Sequence, residues 1–144
     1  MTPHGAISFQ FHLTPFRLRS RNGVRRWLQD CMNAEQQQIQ EINFMFSTDA
    51  HVLSMNRQHL DHDYYTDILT FPSPSGLGIS GDILISVDRV RQNANALSVR
   101  PLDEMHRVMA HGLLHLIGQD DHTPDARTTM RSREDAWLQR RTFT

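Results

Sequence analysis

Apolar and polar residues alternate along "AISFQFHL" (6–13) and again along "EINFMFS" (41–47), the period-two pattern of strands that bury one face more deeply than the other. Between them the period lengthens. Val24, Trp27, Leu28 and Cys31 recur at helical spacing and predict a helix over 24–38. "DILTFP" (67–72) predicts a third strand ended by Pro72, and "GDILISV" (81–87) a fourth. The intervening "SPSGLGISG" (73–81) holds the densest cluster of turn residues in the chain and reads as a loop. Three further helices are expected: Asp88 to Leu97, Leu102 to Ile117 opened by Pro101 with Asp103 and Glu104 in its first turn, and Pro124 to Arg140. The last has Thr123 at the N-cap and proline at the first helical position. No repeat or linker interrupts this mixture of α and β, so the expectation is one α+β domain spanning 1–144.

Composition narrows the chemistry. With 38% hydrophobic residues, the 144-residue chain can bury a real core and still leave a cleft. A single cysteine, Cys31, excludes an intrachain disulfide and any multi-cysteine zinc module, so a metal here needs histidine and carboxylate ligands. No stretch has the layout of a signal peptide or the roughly 20 apolar residues of a membrane span, and the expected location is cytoplasmic, away from membranes. Fifteen basic residues, all arginine, against 16 acidic ones leave a net charge of -1 and no global pull toward nucleic acid. Placement is more telling: "RLRSRNGVRR" gathers Arg17, Arg19, Arg21, Arg25 and Arg26. That cluster reads either as a phosphate-tracking patch or as a solvated helix face.

The stretch richest in chemistry is "MAHGLLHLIGQDDHTP" (109–124). His111 and His115 stand four apart, on one face of the expected helix, where both rings reach a single ion. Gly118 stops the helix and lets the chain reverse, so a residue just beyond supplies a third ligand. Asp121 and His122 compete for that place. Two histidines at this spacing alone more often reflect ordinary half-buried side chains; the glycine and the ligand-bearing turn favour a three-ligand site with an open fourth position. Zinc suits imidazole ligands first, with nickel or another first-row ion as a substitute. A metalloprotease of the H-E-x-x-H type carries its general base directly after the first histidine, where this chain has Gly112.

"HGLLHLIGQDDH" resembles the H-G-x-L-H-L-x-G-x-D-H motif of the YbeY family, bacterial metal-dependent endoribonucleases of ribosomal RNA maturation and ribosome quality control. "LSMNRQHLDHDYYTDILTFP" is similar to the family's L-N-x-x-Y-R-x-x-D-x-x-T-D-V-L-S-F-P segment, apart from a one-residue slip at its start, and "SGDILIS" to its G-D-I-x-I-S strand. These blocks run in the family's order from Leu53 to His122. The resemblance implies a small mixed four-stranded sheet packed by about five helices around a metal-binding cleft, lined by the histidine-bearing helix. It also implies a zinc-dependent endoribonuclease, one Zn2+ per chain, acting on single-stranded segments of ribosomal RNA in association with the small ribosomal subunit.

Two departures from the motif matter. The family's third ligand, usually histidine, falls ten positions after the first, and Asp121 occupies that position. The expected metal-binding and catalytic set is therefore His111, His115 and Asp121, with His122 as the alternative third ligand; aspartate makes the ion a weaker Lewis acid than a third imidazole would. Where the family segment has an arginine suited to substrate contact, this chain has Leu60, which cannot pair with a phosphate. Arg57, His59 and His62 are candidates to replace it, joined by Arg25 and Arg26 as RNA contacts and by Tyr64 or Tyr65 as stacking surfaces. A ribosome-associated RNA-binding module with a structural metal is the alternative, and a zincin-type protease a more distant one.

Overall fold

The computed structural model describes residues 6–60, 62, 65–74 and 76–143. Four strands, β1 (Ile7–Phe11), β2 (Ile39–Ser47), β3 (Ile68–Ser73) and β4 (Ile79–Ser86), form a sheet in the order β1-β2-β4-β3. The first two pairings are parallel and the last antiparallel, as a mixed sheet requires. Alternation does the sorting. Ile42, Phe44 and Phe46 of β2 and Ile83 and Ile85 of β4 are fully buried on one face, in a core shared with α1 (Arg21–Ala34), α3 (Val87–Leu97) and α4 (Pro101–Leu116). On the opposite face, Leu69 and Leu84 meet Val52 of α2 (Asp49–Leu60), a smaller cluster under one helix. A fifth helix, α5 (Pro124–Gln139), lies against α4 and adds Met130 and Trp137 to the main core.

Among the departures from the pattern-based expectation, two boundaries and one helix have clear local reasons. α1 ends at Ala34, four residues early, because Gln36 adopts a left-handed conformation (φ 59°) and the Gln37 amide bonds back to the Met32 carbonyl. β3 runs through Pro72 to Ser73, leaving a loop shorter than expected. Proline is tolerated there because β3 is an edge strand, paired only with β4. α2 carries no sustained apolar stripe, so periodicity did not reveal it. Its start is marked by Thr48, whose Oγ1 accepts the His51 amide hydrogen bond. None of the helices among the described residues is long and apolar enough to cross a membrane.

Candidate metal centre and cleft

Helix α4 builds one wall of a cleft by simple spacing. Glu104, Arg107, His111 and His115 follow one another at three or four residues, so all four share a face. The opposite wall comes from the chain entering β3, with Leu60, His62, Thr66 and Asp67; α5 closes the side with Arg127, Arg131 and Glu134. The space enclosed is about 560 Å³.

At the end of α4 the Gly118 amide bonds to the His115 carbonyl (3.0 Å) and the Gln119 amide to the Leu114 carbonyl (2.9 Å). Gly118 sits at φ 103°, a conformation that costs glycine little. This reversal returns Asp121 to the histidines. Its Oδ2 lies 3.4 Å from His111 Nε2 and 3.3 Å from His115 Nε2, and the three ligand atoms fall within 4.8 Å of one another. Tetrahedral coordination with bonds of about 2.0–2.1 Å separates neighbouring donors by about 3.3–3.4 Å, the separation of Asp121 from each histidine, so this donor set suits a zinc-sized ion. His122 is not brought in: its side chain is 86% exposed and leans toward Asp120.

A carboxylate behind the pair sets the orientation of the first histidine. Glu134 is 5% exposed; its Oε2 is 2.6 Å from His111 Nδ1, and its Oε1 accepts from Arg107 at 3.0 Å. With the proton on Nδ1 facing Glu134, Nε2 presents its lone pair toward Asp121 and His115. Burial pulls the His111 pKa down, but the Glu134 hydrogen bond and charge outweigh it and leave the group above its ordinary value. Across the cleft, burial pushes the Asp67 carboxyl upward against the nearby His111 charge, and Asn93 donates to its Oδ2 at 3.1 Å. Glu104 is also shifted upward, chiefly by burial.

Of the residues expected to contact RNA, His62 alone lines this cleft, beside Leu60. Arg57 and His59 end α2 outside it. The His59 ring meets Phe71 edge-on at 6.0 Å and faces a separate hollow with Met45 and Met55. Arg25 is occupied structurally: its Nε donates to the Ile7 carbonyl and its guanidinium covers the Phe9 ring at 4.8 Å. Arg26 projects from the exposed side of α1. Tyr65 is 55% exposed under the Arg89 guanidinium, and Tyr64 lies outside the described residues.

Sequence reasoning missed Glu134, Asp67, Arg127 and Arg131. For Glu134 a signal existed: Met130, Glu134 and Trp137 form the buried stripe of α5, and an acid on such a stripe requires a partner.

The profile of the family described as "Endoribonuclease YbeY" matches residues 12–142. The chain belongs to the YbeY family. Among relatives, the "Endoribonuclease YbeY" of Cytophaga hutchinsonii is 48% identical over 131 residues, covering 90% of this chain and 92% of that protein. Its counterpart in Porphyromonas gingivalis is 43% identical over 115 residues, covering 80% and 76%. The solution structure of TM1509 from Thermotoga maritima superposes with a TM-score of 0.63 at 20% identity, covering 92% of this chain and 87% of that one, a likeness of fold.

Proposed function

We propose that this YbeY-family chain is a zinc-dependent endoribonuclease that cuts single-stranded segments of ribosomal RNA, in maturation and quality control of the small ribosomal subunit. Membership of an endoribonuclease family makes it an RNA-cleaving hydrolase and removes the protease reading. The observation that carries the zinc assignment is the spacing of His111 Nε2, His115 Nε2 and Asp121 Oδ2, which matches a tetrahedral site on the wall of an open cleft.

His111, His115 and Asp121 would hold the ion. When bound, zinc would supply Lewis acidity for attack on the scissile phosphate. The remaining tasks fall to this chain's own side chains. Glu134 keeps His111 in the required tautomer and orientation. Arg127 and Arg131, one turn apart on α5, make no ion pair among the described residues and offer guanidiniums to phosphates flanking the scissile bond. They supply the positive charge that Leu60 cannot, which weakens the case for a non-catalytic binding module. Asp67, its pKa raised by burial, is placed on the facing wall to hold a proton. A cleft of about 560 Å³ has room for splayed nucleotides of a single strand.

The test combines metal analysis of the purified protein with incubation on single-stranded and duplex ribosomal RNA fragments, with and without chelator. Stoichiometric zinc and chelator-sensitive cutting of the single strand alone are expected, together with slower cutting by the Arg127→Gln/Arg131→Gln variant. Cutting that persists in chelator or in His115→Ala, or metal-loaded protein that cuts no RNA, overturns the reading.

A further inference from the structure

A second hollow, of about 320 Å³, opens between the segment after β1, the first turns of α3 and the start of α4. Its floor is apolar: Val87, Val90 and Met105 are no more than 2% exposed. Its rim is cationic, with Arg17, Arg19, Arg91 and Arg100, and no carboxylate lines it among the described residues. Four other arginines are neutralised by carboxylates: Arg89 by Asp49, Arg107 by Glu134 and Asp135, Arg133 by Glu35, and Arg141 by Asp103. Arg19, Arg91 and Arg100 take part in no ion pair among the described residues. Arg17 is tethered by its own chain, donating to the Thr14 and Phe16 carbonyls, so its charge is held in place at the rim.

In a chain of net charge -1, four guanidiniums around one apolar floor, with no carboxylate among the described lining residues, have the character of a polyanion-binding surface. The apolar floor asks in addition for a flat, weakly hydrated body beside the negative charge. A nucleotide unit has both features, a phosphate for the guanidiniums and a base for the floor. At about 320 Å³ the hollow suits one such unit, near the lower end of small-molecule sites. His111 lies ten residues along α4 from Pro101, about 15 Å at the helical rise. Leu102 and Met105 project from a different side of that helix than the histidines do. The hollow is therefore separate from the metal cleft.

We infer that this arginine-rimmed hollow is a second RNA-binding site, which anchors a nucleotide of the substrate strand away from the cutting centre. The inference rests on the reading above that the chain acts on RNA. An anchor of this kind adds effective concentration: once one nucleotide is held, the remainder of the strand searches the cleft intramolecularly. It gives long RNA an advantage that short RNA lacks.

The probe is the triple variant Arg19→Gln/Arg91→Gln/Arg100→Gln of the full chain, assayed on a single strand of about 30 nucleotides and on one of about four. For the long strand, affinity should fall roughly tenfold or more at low salt, and the slope of log affinity against log salt should flatten by about 2, three lost contacts at about 0.7 each. Cutting of the short strand should match the unmodified protein. Unchanged affinity for the long strand at every salt concentration overturns the inference. If the unmodified protein binds the long strand without cutting it and the variant loses that binding, the anchor stands and the cleavage reading falls. Two competitors check the occupant. Displacement of the long strand by polyglutamate as readily as by RNA of equal charge reassigns the hollow to an acidic polypeptide. Saturation by micromolar adenosine monophosphate, with long-strand binding intact in the variant, reassigns it to a free nucleotide.

Discussion

Asp121 and His122 are neighbours in sequence with opposite environments. The Asp121 carboxylate meets both histidines at 3.3–3.4 Å, whereas His122 is 86% exposed. Asp121→Ala should therefore abolish stoichiometric metal, and His122→Ala should retain it, measured by elemental analysis of dialysed protein. The reverse pattern would move the third ligand by one position. Glu134 acts at one remove, through the 2.6 Å bond to His111 Nδ1. Glu134→Gln replaces a charged acceptor with a neutral amide, so metal affinity should drop by about 10–100-fold, the usual cost of losing such a partner. Competition with a chelator of known affinity measures it. An unchanged affinity would mean that packing alone orients the ring.

At the scale of elements, the decisive contact is α4 against the sheet, because it fixes where the histidine face points. Gly112 lies between the two histidines, and a Cβ there would come within 2.8 Å of Ile68 Cδ1 and 3.1 Å of Ile83 Cγ2. Ile68 can swing aside; Ile83 is fully buried and cannot. Overpacking of this kind costs about 1–3 kcal/mol, offset by about 1 kcal/mol of helix propensity gained in replacing glycine with alanine. Gly112→Ala should thus be destabilised by about 1 kcal/mol in urea unfolding, with weaker metal binding as α4 is pushed off the sheet. A variant more stable than the parent would show that the helix shifts freely. The same contact explains the absence of a glutamate beside His111: position 112 faces β3 and β4, and no general base can be carried there.

For the molecule as a whole, one contribution to the pH response comes from His106, which does not line the cleft. His106 is 2% exposed, packed between Trp27 and Phe143, with its Nδ1 2.8 Å from Arg141 and its Nε2 without a partner among the described residues. Burial, reinforced by the Arg141 charge and opposed by Asp103, pushes its pKa from 6.5 down to about 4. A histidine depressed in the folded state stabilises fully above its unfolded pKa. That stability is lost as pH falls from about 6.5 toward 4, because the unfolded chain then binds the proton more readily. The loss should be about 3 kcal/mol in total. Chemical unfolding of the parent and of His106→Phe across this range isolates it: relative to the variant, the parent should gain about 3 kcal/mol as pH rises from about 4 to 6.5. Parallel curves would show that His106 titrates normally.

Much of this was legible from local pattern alone. Alternation revealed β1 and β2, the apolar runs bounded by turn residues revealed β3 and β4, and proline, glycine and N-cap residues marked the ends of α4 and α5. His111, His115 and the turn at Gly118 were legible because a helix and its terminating turn are short-range objects, and the spacing of their side chains follows from backbone geometry. α2 escaped because it packs on the thinner side of the sheet through few residues, Val52 and Leu53 chief among them, and needs no continuous apolar stripe. The motif register favoured Asp121 over His122 as third ligand, and the tertiary structure adds how the turn closes in space, bringing Asp121 and not His122 to the histidines. Tertiary structure alone brought Glu134 and Arg127 from α5, Asp67 from the opposite wall, and Arg17 and Arg19 to Arg91 and Arg100. These residues are remote in sequence, and their proximity comes from packing helices on a sheet, which no local period records.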